Sequence, residues 1–78
     1  MNNLITERIT VNPDICHGKP TIRNTRMMVE SVLEYLAAGD RFDNILNEFP
    51  DLEKEDILAC LAYANQVLKF KDISFKVA

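Results

Sequence analysis

The stretch EKEDILACLAYANQVLK, residues 53–69, decides how this chain folds. It opens with Glu53, Glu55 and Asp56, negative charges that suit the positive end of a helix, and it closes on Lys69, of the opposite sign. Leu52 and Ile57 stand at the spacing of a hydrophobic staple around a helix start at residue 53. The middle, ILACLAYA, is apolar nearly all round, whereas a surface helix needs only one apolar stripe. The pattern predicts a long helix buried on two sides, one against its own core and one against another chain. Ile57, Leu61, Tyr63, Ala64 and Leu68 (or Val67 in its place) are the candidate residues of that core and of a homodimer interface.

Working outward, residues 42–49, FDNILNEF, predict a second, short helix with the stripe Phe42, Ile45, Leu46 and Phe49. Pro50 helps to end it, because the residue before a proline avoids the α conformation. Residues 29–38 carry Val29, Val32, Leu33, Leu36 and Ala37 at helical spacing, and Gly39 terminates them. Before these helices the period changes. Residues 8–12, RITVN, alternate with Ile9 and Val11 on one side and end at the turn signal Asn12-Pro13-Asp14, which predicts a short strand. Residues 20–29 also read as extended. After the long helix, residues 70–77 alternate again, with Ile73, Phe75 and Val77 on one side, as in a C-terminal strand or an extended tail.

These elements make an α+β chain, mainly α: a β element in residues 1–28, a three-helix bundle in 29–69 and a tail in 70–78. The short connections fit a helix-turn-helix arrangement, although periodicity does not set the angle between the helices. Seventy-eight residues suit one domain, and 47 % apolar content suits an ordered one. A chain this short buries a small fraction of its surface, so it is expected to lean on a partner copy. Two cysteines are too few for a disulfide scaffold and suit a reducing cytosol. NNLITERIT after Met1 has no apolar signal-peptide region, and no stretch has the length of a membrane span. The expected location is cytoplasmic.

The net charge of −3 is unevenly spread. Residues 1–28 hold four basic groups (Arg8, Lys19, Arg23, Arg26) against Glu7 and Asp14, a net of +2. Residues 29–78 hold five basic groups against ten acidic, a net of −5. An acidic chain is a poor non-specific binder of nucleic acid, but a local basic ribbon can still meet phosphates.

That ribbon is centred on CHGKPTIRNTR, residues 16–26, which gathers a thiol, the one histidine and three basic residues. Neighbouring Cys16 and His17 point to opposite faces of an extended chain, and no second histidine offers a base, so no nucleophilic pair is expected. A zinc site needs four suitably spaced ligands, and Cys60 sits in an apolar helical run where a thiol packs as a small hydrophobe. Gly18-Lys19-Pro20 lacks the second glycine and the Ser/Thr of a phosphate loop and reads as a turn. Glu30 and Glu34 lie on a solvated helix face. No catalysis, metal or cofactor is expected. Arg23 and Arg26 are forks for carboxylate or phosphate, and a bend at Asn24-Thr25 would bring them together. They face either acidic groups of a partner copy or nucleic acid. Against ordinary DNA reading stand the three carboxylates at the start of the last helix, where a recognition helix meets base edges.

From Ile9 to about residue 68 the chain closely resembles the small prokaryotic proteins catalogued as domain of unknown function 433. The resemblance rests on Cys16, Gly18-Lys19-Pro20, Ile22-Arg23, Thr25-Arg26, Leu36-Ala37-Ala38-Gly39, Phe49-Pro50, Glu55-Asp56-Ile57 and Cys60-Leu61-Ala62-Tyr63-Ala64. It departs at Asn24, where glycine is usual, at Met28, where proline is usual, and at Arg41 and Glu53, where Ser or Thr usually caps a helix. The resemblance implies a homeodomain-like three-helix domain behind a small β element, usually dimeric. It also implies an antitoxin-like protein that binds and silences a toxin with a PIN-like ribonuclease fold, with repression of its own operon as a second role. On that reading Phe70, Ile73, Phe75 and Val77 form the candidate toxin-binding tail, because an alternating strand can add to a sheet edge. The alternative is a DNA-binding regulator without a toxin partner. Lys19, Arg23, Arg26 and Arg41 are its candidate contacts to nucleic acid or to an acidic partner.

Overall fold

The computed structural model of the chain describes residues 3–71. Its elements are α1 (Leu4–Arg8), β1 (Ile9–Thr10), β2 (Thr21–Ile22), α2 (Val29–Ala37), α3 (Phe42–Glu48) and α4 (Lys54–Lys71). The fold is mainly α with a small antiparallel β element near the N-terminus.

Helix α1 is absent from the sequence expectation. Asn3 makes it: its side-chain oxygen accepts the N–H groups of Ile5 (3.0 Å) and Thr6 (3.4 Å). Five residues are too few to show a period, and Leu4 and Ile5 pack on the core only because α4 lies beside them. The expected strand at 8–12 is correspondingly shorter. Arg8 ends α1, and only Ile9 and Thr10 pair, with Ile22 and Thr21. Val11, expected on the same side as Ile9, lies beyond the last paired residue, Thr10, and is 62 % exposed.

Residues 20–29, expected to be extended throughout, are extended only at Thr21–Ile22 and around Met28, reverse at a turn between them, and enter α2 at Val29. Met28 bridges to Thr21, and the Ile22 N–H donates to Met27 C=O at 2.9 Å. The reversal uses Arg23 (φ 47°) and Asn24 (φ 59°), both left-handed, and closes where Thr25 N–H meets Ile22 C=O at 2.8 Å. Asparagine tolerates that conformation better than most residues. Helix α2 ends at Gly39 (φ 99°), with Gly39 N–H on Leu36 C=O and Asp40 N–H on Tyr35 C=O, both 3.0 Å. These two bonds are the Schellman closure that a positive-φ glycine permits. Arg41 precedes α3 without a side-chain cap, in keeping with the lack of Ser or Thr there.

Ile9, Ile22, Val29, Val32, Ile45, Leu52, Ile57, Ala59 and Cys60 form one core. Every element except α1 puts a residue into it, and each fully buried Val or Ile contributes roughly 1.5–3 kcal/mol of transfer free energy. Leu52 and Ile57 are both in this core, as a hydrophobic staple around α4 requires.

Candidate functional site

Three places on this frame bear on function: the charged cluster where the hairpin meets α4, the loop 16–26, and the apolar faces of α4.

The charged cluster is built around Asp56, on the first turn of α4 and fully buried. Arg23 meets it with a two-pronged fork: Nε donates to Oδ1 at 3.1 Å and Nη2 to Oδ2 at 2.7 Å. The same Nη2 donates to Asp51 C=O at 2.8 Å. Arg8, from the end of α1, donates to Asp56 Oδ1 at 3.0 Å and to Glu53 Oε1. Asp56 Oδ2 also accepts the backbone N–H of Glu53 at 2.9 Å, the reach-back that completes a helix start lacking Ser or Thr. Burial pushes the Asp56 carboxyl up. Hydrogen bonds from Arg23, the Glu53 N–H and Arg8, with the charge of Arg23, outweigh that and hold it below its ordinary value. The two guanidiniums are pushed up in turn, Arg8 chiefly by its hydrogen bond to Glu53 and Arg23 by its bond to Asp56. Arg23 thus faces a carboxylate of its own chain, 33 residues away.

The cluster changes the view of α4's start. Of its three carboxylates Asp56 is enclosed and Glu53 is paired, which leaves Glu55 exposed. The importance of Arg8 and Asp56 was missed from sequence. Glu53 and Asp56 carry one signal, the spacing at which a helix's third residue bonds back to its cap, but nothing local shows that Asp56 turns inward.

In the loop 16–26, Cys16 (φ 50°), His17 (φ 58°) and Gly18 (φ 81°) run left-handed in succession, closed by Gly18 N–H on Ile15 C=O and Lys19 N–H on Cys16 C=O. The turn reading of Gly18 holds. Cys16 is half-buried with its thiol 3.7 Å from Arg26 C=O, and His17 is exposed. Lys19 pairs with Glu30 at 3.1 Å, both about half exposed, an arrangement worth little. Arg26 and Arg41 are exposed and join no ion pair among the described residues. Cys60 is enclosed, and burial, helped by the charge of Asp56, pushes its thiol up to about 12. It is unreactive packing.

Two hollows lie beside these groups. One, of about 210 Å³ next to Arg23 and the turn at Phe49-Pro50, is smaller than the usual small-molecule site. The other, of about 370 Å³, is an apolar groove between α2 and the second half of α4, lined by Pro20, Val29, Glu30, Leu33, Tyr63, Ala64, Val67 and Leu68. The expected interface residues divide across α4. Ile57 is wholly in the chain's own core and presents nothing to a partner. Tyr63 and Ala64 are half-buried in the groove, and Leu61 and Leu68 are exposed, at 42 % and 62 %. Phe70, expected in the tail, lies within helix α4, which continues to Lys71 because neither glycine nor proline interrupts it. Ile73, Phe75 and Val77 lie outside the described residues.

Among the described residues no helix is long and apolar enough to cross a membrane, and no three His, Cys, Asp or Glu side chains gather as a metal site would.

The chain is 38 % identical over 58 residues to the uncharacterized protein y4eO of Sinorhizobium fredii, which is 74 % of this chain and 26 % of that protein. It therefore spans about a quarter of the length of the curated relative it matches. The crystal structure of a DUF433 member protein from Anabaena variabilis matches with a TM-score of 0.74 and 32 % identity, over 83 % of this chain and 64 % of that one. Residues 9–64 match the family described as protein of unknown function (DUF433), and they contain both the Arg23–Asp56 pair and the first part of the α4 groove. The chain belongs to that family.

Proposed function

We propose that this chain is a non-catalytic, antitoxin-like protein that binds and neutralises a PIN-like ribonuclease toxin. The observation that carries the reading is the apolar groove between α2 and α4. A groove with so little polar lining suits an apolar protein segment far better than a phosphate or a polar metabolite. The charges point the same way. Arg8 and Arg23 are spent inside the fold and Lys19 is paired, so little of the expected basic ribbon remains for nucleic acid. Ile73, Phe75 and Val77, which alternate with polar residues after α4 in sequence, are the further segment that this reading offers to a toxin.

The test is co-expression with the product of the adjacent gene. The reading predicts a complex that loses affinity when residues 72–78 are deleted or Val67 becomes Asp. An adjacent product with no nuclease-like fold, or a complex indifferent to both changes, contradicts it.

A second reading, a DNA-binding regulator, keeps one observation in its favour. Glu53 and Asp56 are neutralised internally, so the start of α4 repels phosphates less than its sequence suggests. Exposed Arg26 and Arg41 would then make the contacts. That reading predicts binding to the chain's own promoter that falls steeply with salt and weakens in Arg26→Ala with Arg41→Ala. No salt dependence, or no effect of the substitutions, removes it.

A further inference from the structure

The groove between α2 and α4 lies on the side from which the chain leaves α4. The helix ends at Lys71, and position 71 stands three residues beyond Leu68, four beyond Val67 and seven beyond Ala64, all of which line the groove. Residues so spaced share one face of a helix, so the backbone emerges over the groove. Asp72 comes next, and aspartate is one of the few residues besides glycine that takes the left-handed conformation with which helices end and chains reverse. Beyond it Ile73, Phe75 and Val77 alternate with Ser74 and Lys76, so an extended segment there has one apolar and one polar side.

We propose that residues 73–77 fold back into the groove of their own chain in the free protein, as a strap that an incoming protein partner must displace. The spacings agree. Two residues of an extended chain advance ~6.6 Å, and four residues of a helix ~6 Å. Ile73 over Leu68 therefore sets Phe75 over Ala64, the largest side chain of the strap on the smallest of the groove. Ser74 and Lys76 then face water. The short tether favours this occupant over the same segment of a second copy. A linker this short presents its segment at an effective concentration of ~1 mM, so an intrinsic affinity of ~0.1 mM closes the groove about ten to one. The strap concerns the free chain and does not depend on the toxin reading. If a toxin binds, the same apolar residues serve twice, against the groove before binding and against the toxin after it.

Nuclear Overhauser effects in the free chain test the proposal, with mixed labelled and unlabelled chains to separate contacts within a chain from contacts between copies. Effects from the Phe75 ring to the Ala64 methyl and from Ile73 to Leu68 are expected within one chain, and Val67→Asp should remove them. Their absence in the wild type, or their appearance only between copies, overturns the proposal. A hydrophobic fluorescent dye gives a second readout. It should bind Ile73→Ser with Phe75→Ser about tenfold more tightly than wild type, because the strap no longer competes for the groove. Equal binding overturns the proposal. Both measurements use the chain alone. A toxin complex that forms where no strap is seen removes only the strap, and a strap seen where no complex forms removes only the toxin reading.

Discussion

At the first turn of α4, Asp56 is fully enclosed and takes hydrogen bonds from Arg23, Arg8 and the Glu53 backbone. Little more than a turn further on, Leu61 is 42 % exposed, and at Leu68 the figure is 62 %. The helix thus encloses one charge, Asp56, near its start and leaves large apolar groups in solvent further along, the reverse of what composition leads one to expect. The difference separates roles. The charged residues Arg23 and Asp56 meet each other within the fold, whereas Leu61 and Leu68 leave large apolar surface in solvent.

The strongest way to break that comparison is Asp56→Asn. It keeps the shape but strands two guanidiniums, and the expected loss is ~3 kcal/mol, near the low end for breaking a buried pair, because Arg23 is 39 % exposed and water can resolvate it. Urea unfolding reads it; a loss below ~0.5 kcal/mol, ordinary for a surface change, would show that the cluster is not structural.

Acid probes the same group. The Asp56 carboxyl is held below its ordinary value, so its contribution is whole above about pH 3.8 and is lost as pH falls through the lower folded value. The wild type should lose stability more steeply than Asp56→Asn below that pH, and parallel curves would contradict the assignment. Asn24→Val acts at one remove, on the left-handed turn that presents Arg23, and should cost ~1–2 kcal/mol for a β-branched residue at positive φ. An unchanged midpoint would mean that the turn relaxes without moving Arg23. At the other end, Leu61→Lys should stay within ~0.5 kcal/mol of wild type in urea unfolding, as surface changes do. A large loss there would mean that Leu61 belongs to the core.

How much of this was legible in sequence follows the range of the forces. Helices α2, α3 and α4 were, because a period of 3.6 in apolar residues is local and survives weak caps such as Arg41 and Glu53. Helix α1 was not, because it is five residues long and holds to α4 by contacts that no local pattern encodes. The apolar excess of ILACLAYA did not distinguish Ile57, which is inside, from Leu61, which is outside. At the candidate site, Arg23 stood out in the sequence as a fork beside a bend, but its intrachain partner did not. Asp56 lies 33 residues on, and from sequence it is one of ten carboxylates in the acidic part of the chain. Only the folded path of the hairpin past α4 selects it.

The central claim, that the arginine of the conspicuous loop holds the fold together instead of holding a ligand, is tested most directly by a double-mutant cycle. Arg23→Ala, Asp56→Asn and their combination are compared with wild type by urea unfolding, all in one fixed concentration of a stabilising osmolyte so that each species has a folded baseline. The account predicts a coupling of ~2 kcal/mol between the two positions, within the range for residues sharing a hydrogen-bonded pair. Additive losses, with a coupling below ~0.5 kcal/mol, would contradict it and return Arg23 to the candidates for binding phosphate.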